Sequence, residues 1–251
     1  MFKLRFWTHG LGSYFLAITV ALTIRWAFME AYVIPSGSML PSLLINDHIF
    51  VNKSVYGLRV PFSEKWLTKY GEPKRGEVIV FKYPLEKGTF YIKRVVGLPG
   101  DKISYQDGAI FINGEKVEKT LADTSSDVDM KNYNFLRDAD LQRGGATFAT
   151  RDDYEHYMET LGDVKHDVLL RKGHYEGISD GPWEVPEGQL FVMGDNRNHS
   201  NDSRSWGFVP EDYILGRAMF VWLSCDDTLP VLTFLCNPLS LRFKRFFHKI
   251  R

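Results

Sequence analysis

The stretch TFYIKRVVGLPGDKISY, residues 89–105, is dense in β-branched and aromatic residues and alternates as a strand does. On a strand, Tyr91, Lys93 and Val95 share one face, and Ile92, Arg94 and Val96 share the other. Lys93 therefore lies between apolar neighbours. A lysine ammonium there either reaches solvent from a half-buried strand or is desolvated. Desolvation would lower its pKa and make the neutral amine available as a base. A guanidinium keeps its proton, so Arg94 cannot serve in that way.

Strand character recurs on both sides. DHIFVNKSVYGLRVPF (47–62), GEVIVFKYP (76–84), GQLFVMGDN (188–196), WGFVP (206–210) and GRAMFVWLS (216–224) all carry it, with turn signals at short intervals. GAIFINGEKV (108–117) reads as a hairpin turning at Asn113-Gly114. The expected fold is mainly β: a coiled or barrel-like sheet built from residues 27–118 and 186–238. Residues 119–185 are polar and acidic without a clear hydrophobic period, and read as an inserted, smaller, loop-rich subdomain. The C-terminal segment 239–251, with LSLRFKRFFHKIR, is basic and aromatic. It reads either as an interfacial segment against a membrane or as a solvated tail.

Ahead of the β-rich part, residues 6–24 (FWTHGLGSYFLAITVALTI) contain no Asp, Glu, Lys or Arg and match a bilayer core in length. Trp7 and Trp26 stand at the ends, and Lys3 and Arg5 precede the run. The positive-inside rule then gives a cytoplasmic segment 1–5, a single-pass anchor 6–26 and an extracytoplasmic remainder. A cleaved secretory signal is the alternative, but the apolar run is long and no clear A-x-A site follows it. Lys+Arg and Asp+Glu balance at 31 each, which gives no sign of a nucleic-acid partner. No cofactor motif appears, and no Cys or His spacing suggests a metal. Cys225 and Cys236 read equally as a disulfide across a hairpin or as two buried thiols.

Two further stretches carry hydroxyls. YVIPSGSMLPSLL (32–44) follows the apolar run closely, and Pro35 and Gly37 stiffen a turn bearing Ser36, Ser38 and Ser42. Such a stretch is either a linker or a turn that holds a serine hydroxyl in a set direction; the hydroxyl needs a base to become a nucleophile. GDNRNHSNDSRSWGFVP (194–210) reads as a hydrogen-bonded loop. Its Asn-x-Ser matches at Asn198 and Asn201 are expected by chance in so Asn- and Ser-rich a segment.

Taken in order, the apolar run, IPSGSMLPSLL, NDHIFVNK, YIKRVVGLPGD and GDNRNHSNDSRSWGFVP resemble the signatures of bacterial type I signal peptidases, the Ser-Lys dyad serine proteases also called leader peptidases. The resemblance covers the anchor and β core, leaving roughly 119–185 and the extreme C-terminus unmatched. It implies Ser38 as nucleophile and Lys93 as general base. Ser36, with a backbone N–H of the Ser38 turn, would stabilise the oxyanion, and Ser200 would orient Lys93. Arg94, Asp195, Asp202 and Arg204 would form a supporting polar shell. Ile34, Pro35, Met39, Leu43, Tyr91 and Ile92 would line pockets for small substrate residues. The implied substrates are secretory preproteins cut after Ala-x-Ala-like sites, and the implied location is the bacterial inner membrane.

Two departures from the family pattern stand out: Asn198-His199 replaces a usual Asp-Asn, and Asn46 takes the place of a usual glycine. Two other functions compete with the dyad reading. One is a Ser-His protease using His48 or His199; the other is a membrane-anchored β-domain that binds extracytoplasmic partners without catalysis.

Overall fold

The structure is a computed structural model and describes residues 11–60, 63, 65–86, 88–123, 131–146, 148–232 and 234–251. Its helices are α1 (Leu11–Ala27), α2 (Asp138–Arg143) and α3 (Ser203–Trp206), and the rest is mainly β. The first strands are β1 (Met29–Val33), β2 (Asp47–Asn52), β3 (Gly57–Arg59), β4 (Trp66–Lys69), β5 (Val78–Lys82) and β6 (Phe90–Gly97). They are followed by β7 (Lys102–Gln106), β8 (Ala109–Ile112), β9 (Glu115–Lys116), β10 (Lys119–Leu121), β11 (Tyr154–Leu161) and β12 (Val164–Arg171). β13 (Ser179–Glu184), β14 (Gln189–Met193), β15 (Val209–Pro210), β16 (Ile214–Ser224) and β17 (His248–Lys249) complete the chain.

The main sheet runs β1-β2-β16-β5-β6-β14-β15, with β17 added to β16. Register shifts along β16 against both β2 and β5 bend it, because an extra residue on one strand kinks and twists the pair. Alternation explains why the sheet is buried on both faces. Val80 and Ile92 join Ile34, Met39, Leu43 and Ile49 on one side. Ile79, Phe81 and Val95 join Leu190, Val192 and Val209 on the other. Lys93 is paired with Ile79 across β5 and β6, which places it among the second set. The Asn113-Gly114 hairpin forms as read, with both residues at positive φ (54° and 87°), the twist a two-residue hairpin turn demands.

Two expectations change and one open alternative closes. The segment 119–185 is not chiefly loops. It carries the β11–β12 hairpin, paired without interruption from Tyr154↔Arg171 to Leu161↔Val164. Its β13 pairs with β7. The C-terminal segment is not a solvated tail. Arg245 is fully buried and its guanidinium holds the Asp47 carboxylate at 2.8 Å, while β17 pairs with β16. Cys225 and Cys236 form a disulfide.

α1 covers the later part of the expected span; residues 1–10 lie outside the described residues. Among the described residues no helix is long and apolar enough to cross a membrane. The helix nevertheless leaves Tyr14, Phe15, Leu16, Ile18, Val20 and Leu22 exposed. Its Thr19 and Thr23 hydroxyls satisfy themselves on the Phe15 and Thr19 carbonyls.

Candidate active site

The chain leaves β1 at Val33 and makes a single 3₁₀ turn at Gly37–Met39, with Ser38 in its middle. Gly37 is required there. A Cβ on it would come within 2.7 Å of the Gly144 Cα, so the chain just after α2 packs directly on this turn. Leu40 and Leu44 anchor the turn from behind, in a cluster with Leu136, Leu141, Ala146 and Leu169.

Across from the turn, Lys93 is only 4 % exposed. Its Nζ lies 2.5 Å from Ser38 Oγ and 3.0 Å from the Ile92 carbonyl oxygen. Burial lowers the Lys93 pKa to about 8; the Asp202 and Asp195 carboxylates pull it upward and the Arg204 guanidinium pushes it down. Ser36 Oγ stands 3.4 Å from Ser38 Oγ, within hydrogen-bond range.

The loop after β14 holds the turn in place. The Asn196 N–H donates to the Ser38 carbonyl at 3.1 Å, and its side-chain amide donates to the Gly37 carbonyl at 3.0 Å. Asp202 caps α3 and accepts from the Gly194 N–H (3.0 Å) and from Arg204 Nε (2.9 Å). Burial alone would raise the Asp202 carboxyl, but Arg204 holds it below the usual carboxylate range. Asp195 is buried and bidentate with Arg94, at 2.8 Å to Nε and 2.6 Å to Nη2. Burial would raise Asp195 too, and Arg94 overrides it.

Gly194 has no room for a side chain. A Cβ there would meet Ser200 Oγ at 2.3 Å and the Ser38 carbonyl oxygen at 2.4 Å. Gly194→Ala is therefore expected to displace the Ser38 turn and lower kcat by about 10²-fold or more, since misplacement by an ångström has that cost. Steady-state cleavage of a purified preprotein checks it; a drop of less than about threefold would show that the turn tolerates the shift.

The structure brings most of the expected site residues together, with two differences. Ser200 is half-buried against Gly194, and its hydroxyl makes no hydrogen bond to Lys93, whose partners are Ser38 and the Ile92 carbonyl. Ile34, Met39, Leu43 and Ile92 converge in one apolar cluster, but Met39 and Leu43 are fully buried and support it from behind. Tyr91 lies beside the dyad, its ring centroid 5.5 Å from Lys93 Nζ, and stacks on Tyr83 at 4.4 Å. Pro35 is exposed beside the turn.

Both departures from the family pattern have local reasons. Asn46 adopts φ 64°, a left-handed conformation that Asn tolerates nearly as glycine does. Asn198 accepts from the Arg171 N–H and donates to the His174 carbonyl, tying the loop to the β12 end of the insertion.

Sequence reasoning missed two further elements. Asn196 is one; its place in a GDN triplet was visible but its role as a clamp was not. The other is the buried Arg197–Glu159 ion pair (3.0 Å, Nη1 to Oε2), which joins β11 to the active-site loop. Burial would raise Glu159, yet Arg197 keeps it well below the usual range. Nothing in the local sequence around Glu159 distinguishes it from its exposed acidic neighbours.

A buried amine thus lies against a serine hydroxyl on a bent β-sheet, an arrangement in which the amine could take the hydroxyl's proton. Residues 7–223 match the family described as "Signal peptidase, peptidase S26". A signal peptidase I of Pseudomonas fluorescens is 40% identical over 236 residues, spanning 90% of this chain and 75% of that protein. A signal peptidase I of Pseudomonas aeruginosa is 37% identical, spanning 86% and 72%. A solved signal peptidase I from Enterococcus faecalis is 25% identical, with a TM-score of 0.32, over 59% of this chain and 98% of that one. The chain belongs to the signal peptidase S26 family and is a serine peptidase of its bacterial type I group.

Proposed function

We propose that the chain cleaves signal peptides from secretory preproteins with Ser38 as nucleophile and Lys93 as general base. The observation that carries this reading is the buried Lys93 Nζ at 2.5 Å from Ser38 Oγ. The neutral amine takes the Ser38 proton as Oγ attacks the scissile carbonyl. Ser36 and a backbone N–H of the Ser38 turn receive the developing oxyanion; one such donor typically contributes about 2.7–4 kcal/mol. The ammonium then protonates the leaving amine. Once neutral again, Lys93 activates a water that releases the acyl group.

Substrate binding follows from free strand edges. β1 ends the main sheet, and the early part of β6 lies beyond the last pairing with β14 at Arg94. An extended peptide adds a strand between such edges. Ile34 and Ile92 belong to the apolar cluster beside the turn, and a shallow apolar wall there would suit small side chains of the Ala-x-Ala type and exclude large ones.

The exposed apolar face of α1, with Lys3 and Arg5 before it, supports a membrane anchor with the catalytic part outside the cytoplasm. The anchor would hold Ser38 near the lipid surface, where a membrane-threaded substrate presents its cleavage site, and so raise its effective concentration.

The test is the pH dependence of preprotein cleavage in detergent. The working form is the neutral amine, and its pKa lies at about 8. Hence kcat/KM is expected to rise with pH through that value and to fall about tenfold per unit below it. A profile flat from about pH 6 to pH 10 would rule out a lysine base.

A further inference from the structure

β2 carries His48 next to β16, paired with Leu223, with its ring edge on Trp222 at 5.6 Å. The imidazole is buried, 5% exposed, and its Nε2 has no hydrogen-bond partner. A buried polar atom without a partner costs about 1–3 kcal/mol and calls for a reason. Neither the dyad nor its supporting shell supplies one. What lies beside the ring is the Cys225–Cys236 disulfide. One ring nitrogen of His48 and the two Sγ atoms all lie within 4.8 Å of one another. Cys225 is fully buried, and Cys236 closes a short loop whose Val231, Leu232, Phe234 and Leu235 are exposed.

We infer that His48, Cys225 and Cys236 form a Cys2His site for a thiophilic divalent cation of the zinc class when the disulfide is reduced. Zn–S bonds of about 2.3 Å and Zn–N bonds of about 2.0–2.1 Å place tetrahedral ligand atoms about 3.6–3.8 Å from one another. The two sulfurs must separate and the ring nitrogen must approach by up to about an ångström, for which the exposed Val231, Leu232, Phe234 and Leu235 between the cysteines leave room. A water completes the fourth position.

The chemistry balances with a dithiol as reductant. It gives two electrons and two protons to the disulfide and is itself oxidised to a disulfide. Each cysteine thiol then releases its proton to solvent as its S–metal bond forms. The same three side chains thus present a covalent bridge under oxidising conditions and a cation site under reducing ones. Sequence spacing hides the arrangement, because His48 comes from the second strand and the cysteines from beyond the last long one.

The test uses the full chain in detergent with cobalt(II) as probe. The disulfide is reduced by a phosphine, which takes up oxygen from water and does not chelate as dithiols do. Reduced protein is expected to bind one Co²⁺ with a thiolate-to-cobalt charge-transfer band and tetrahedral d–d bands, at least about thirtyfold more tightly than oxidised protein. His48→Ala is expected to weaken binding at least about tenfold. The reduced wild type is also expected to show a paramagnetically shifted imidazole N–H resonance, which serves should the variant fail to fold. Absence of the charge-transfer band, equal affinity in the oxidised form, unchanged affinity in His48→Ala, or no shifted imidazole resonance would each overturn the site.

Discussion

Lys93→Met is expected to lower preprotein cleavage by about 10⁴-fold while leaving the protein folded. Methionine keeps an unbranched apolar stem of similar length and discards only the amine. Because Lys93 is buried, its ammonium form is disfavoured by desolvation, so the replacement should leave the melting temperature unchanged or raise it. Ser38→Ala should cost at least as much. The two groups act as one unit, so the double variant should be no slower than the worse single variant. Purified preprotein, quenched time courses and a thermal melt suffice to measure all three. If Lys93→Met or Ser38→Ala cleaves at the normal rate, the dyad is wrong. The binding-module reading would gain only if both singles cleave normally, because that result would trace the activity to a contaminant. The Ser-His reading predicts the opposite pattern, with Ser38 essential and Lys93 dispensable.

The parts of the fold that were legible in the sequence are those where burial is apolar and local. β5 and β6 alternate, so their two faces could be assigned from residues 76–84 and 89–97. Asn113-Gly114 marks its own hairpin. The β11–β12 hairpin was illegible for a physical reason. Several of its buried positions are filled by Glu159, His156, His166 and Asp167 rather than by aliphatic residues. Those groups are buried because partners come from elsewhere: Arg197 for Glu159, and the cross-strand pair His156–Asp167 at 2.8 Å. A hydrophobic period cannot register a position whose burial is satisfied by charge. The C-terminal segment misled in the same way. Arg245 reads as part of a basic tail until Asp47, 198 residues earlier in the chain, neutralises it inside the protein. In the site itself, Lys93 and Ser38 were readable through motif order. The clamp from Asn196 to the Gly37 and Ser38 carbonyls uses backbone acceptors, which leave no trace in residue identity.

Asp195→Ala is expected to destabilise the protein by about 3–5 kcal/mol, because it strands the Arg94 guanidinium inside the core. Arg94 is 1% exposed, and the carboxylate accepts from both its Nε and its Nη2. Its remaining close acceptors are the main-chain oxygens of Gly76 at 2.7 Å and Arg251 at 2.6 Å, both on Nη1, and neither replaces the two-point pairing of the carboxylate with Nε and Nη2. For a chain of this size that loss lowers the melting temperature by roughly 6–20 °C. Activity measured well below the new melting point carries separate information. Asp195 raises the Lys93 pKa through space, so losing it lowers that pKa further, and an unpaired positive Arg94 acts in the same direction. The acid limb of the cleavage profile should therefore move to lower pH than in the wild type, even though the protein is less stable. Thermal melts and a pH-rate profile on the same preparation separate the two effects. A melting point within about 1 °C of wild type would show that the buried pair contributes little net stability, as some buried pairs do when water or backbone re-satisfies the survivor. An acid limb that moves up would show that Asp195 governs Lys93 by its position rather than by its charge.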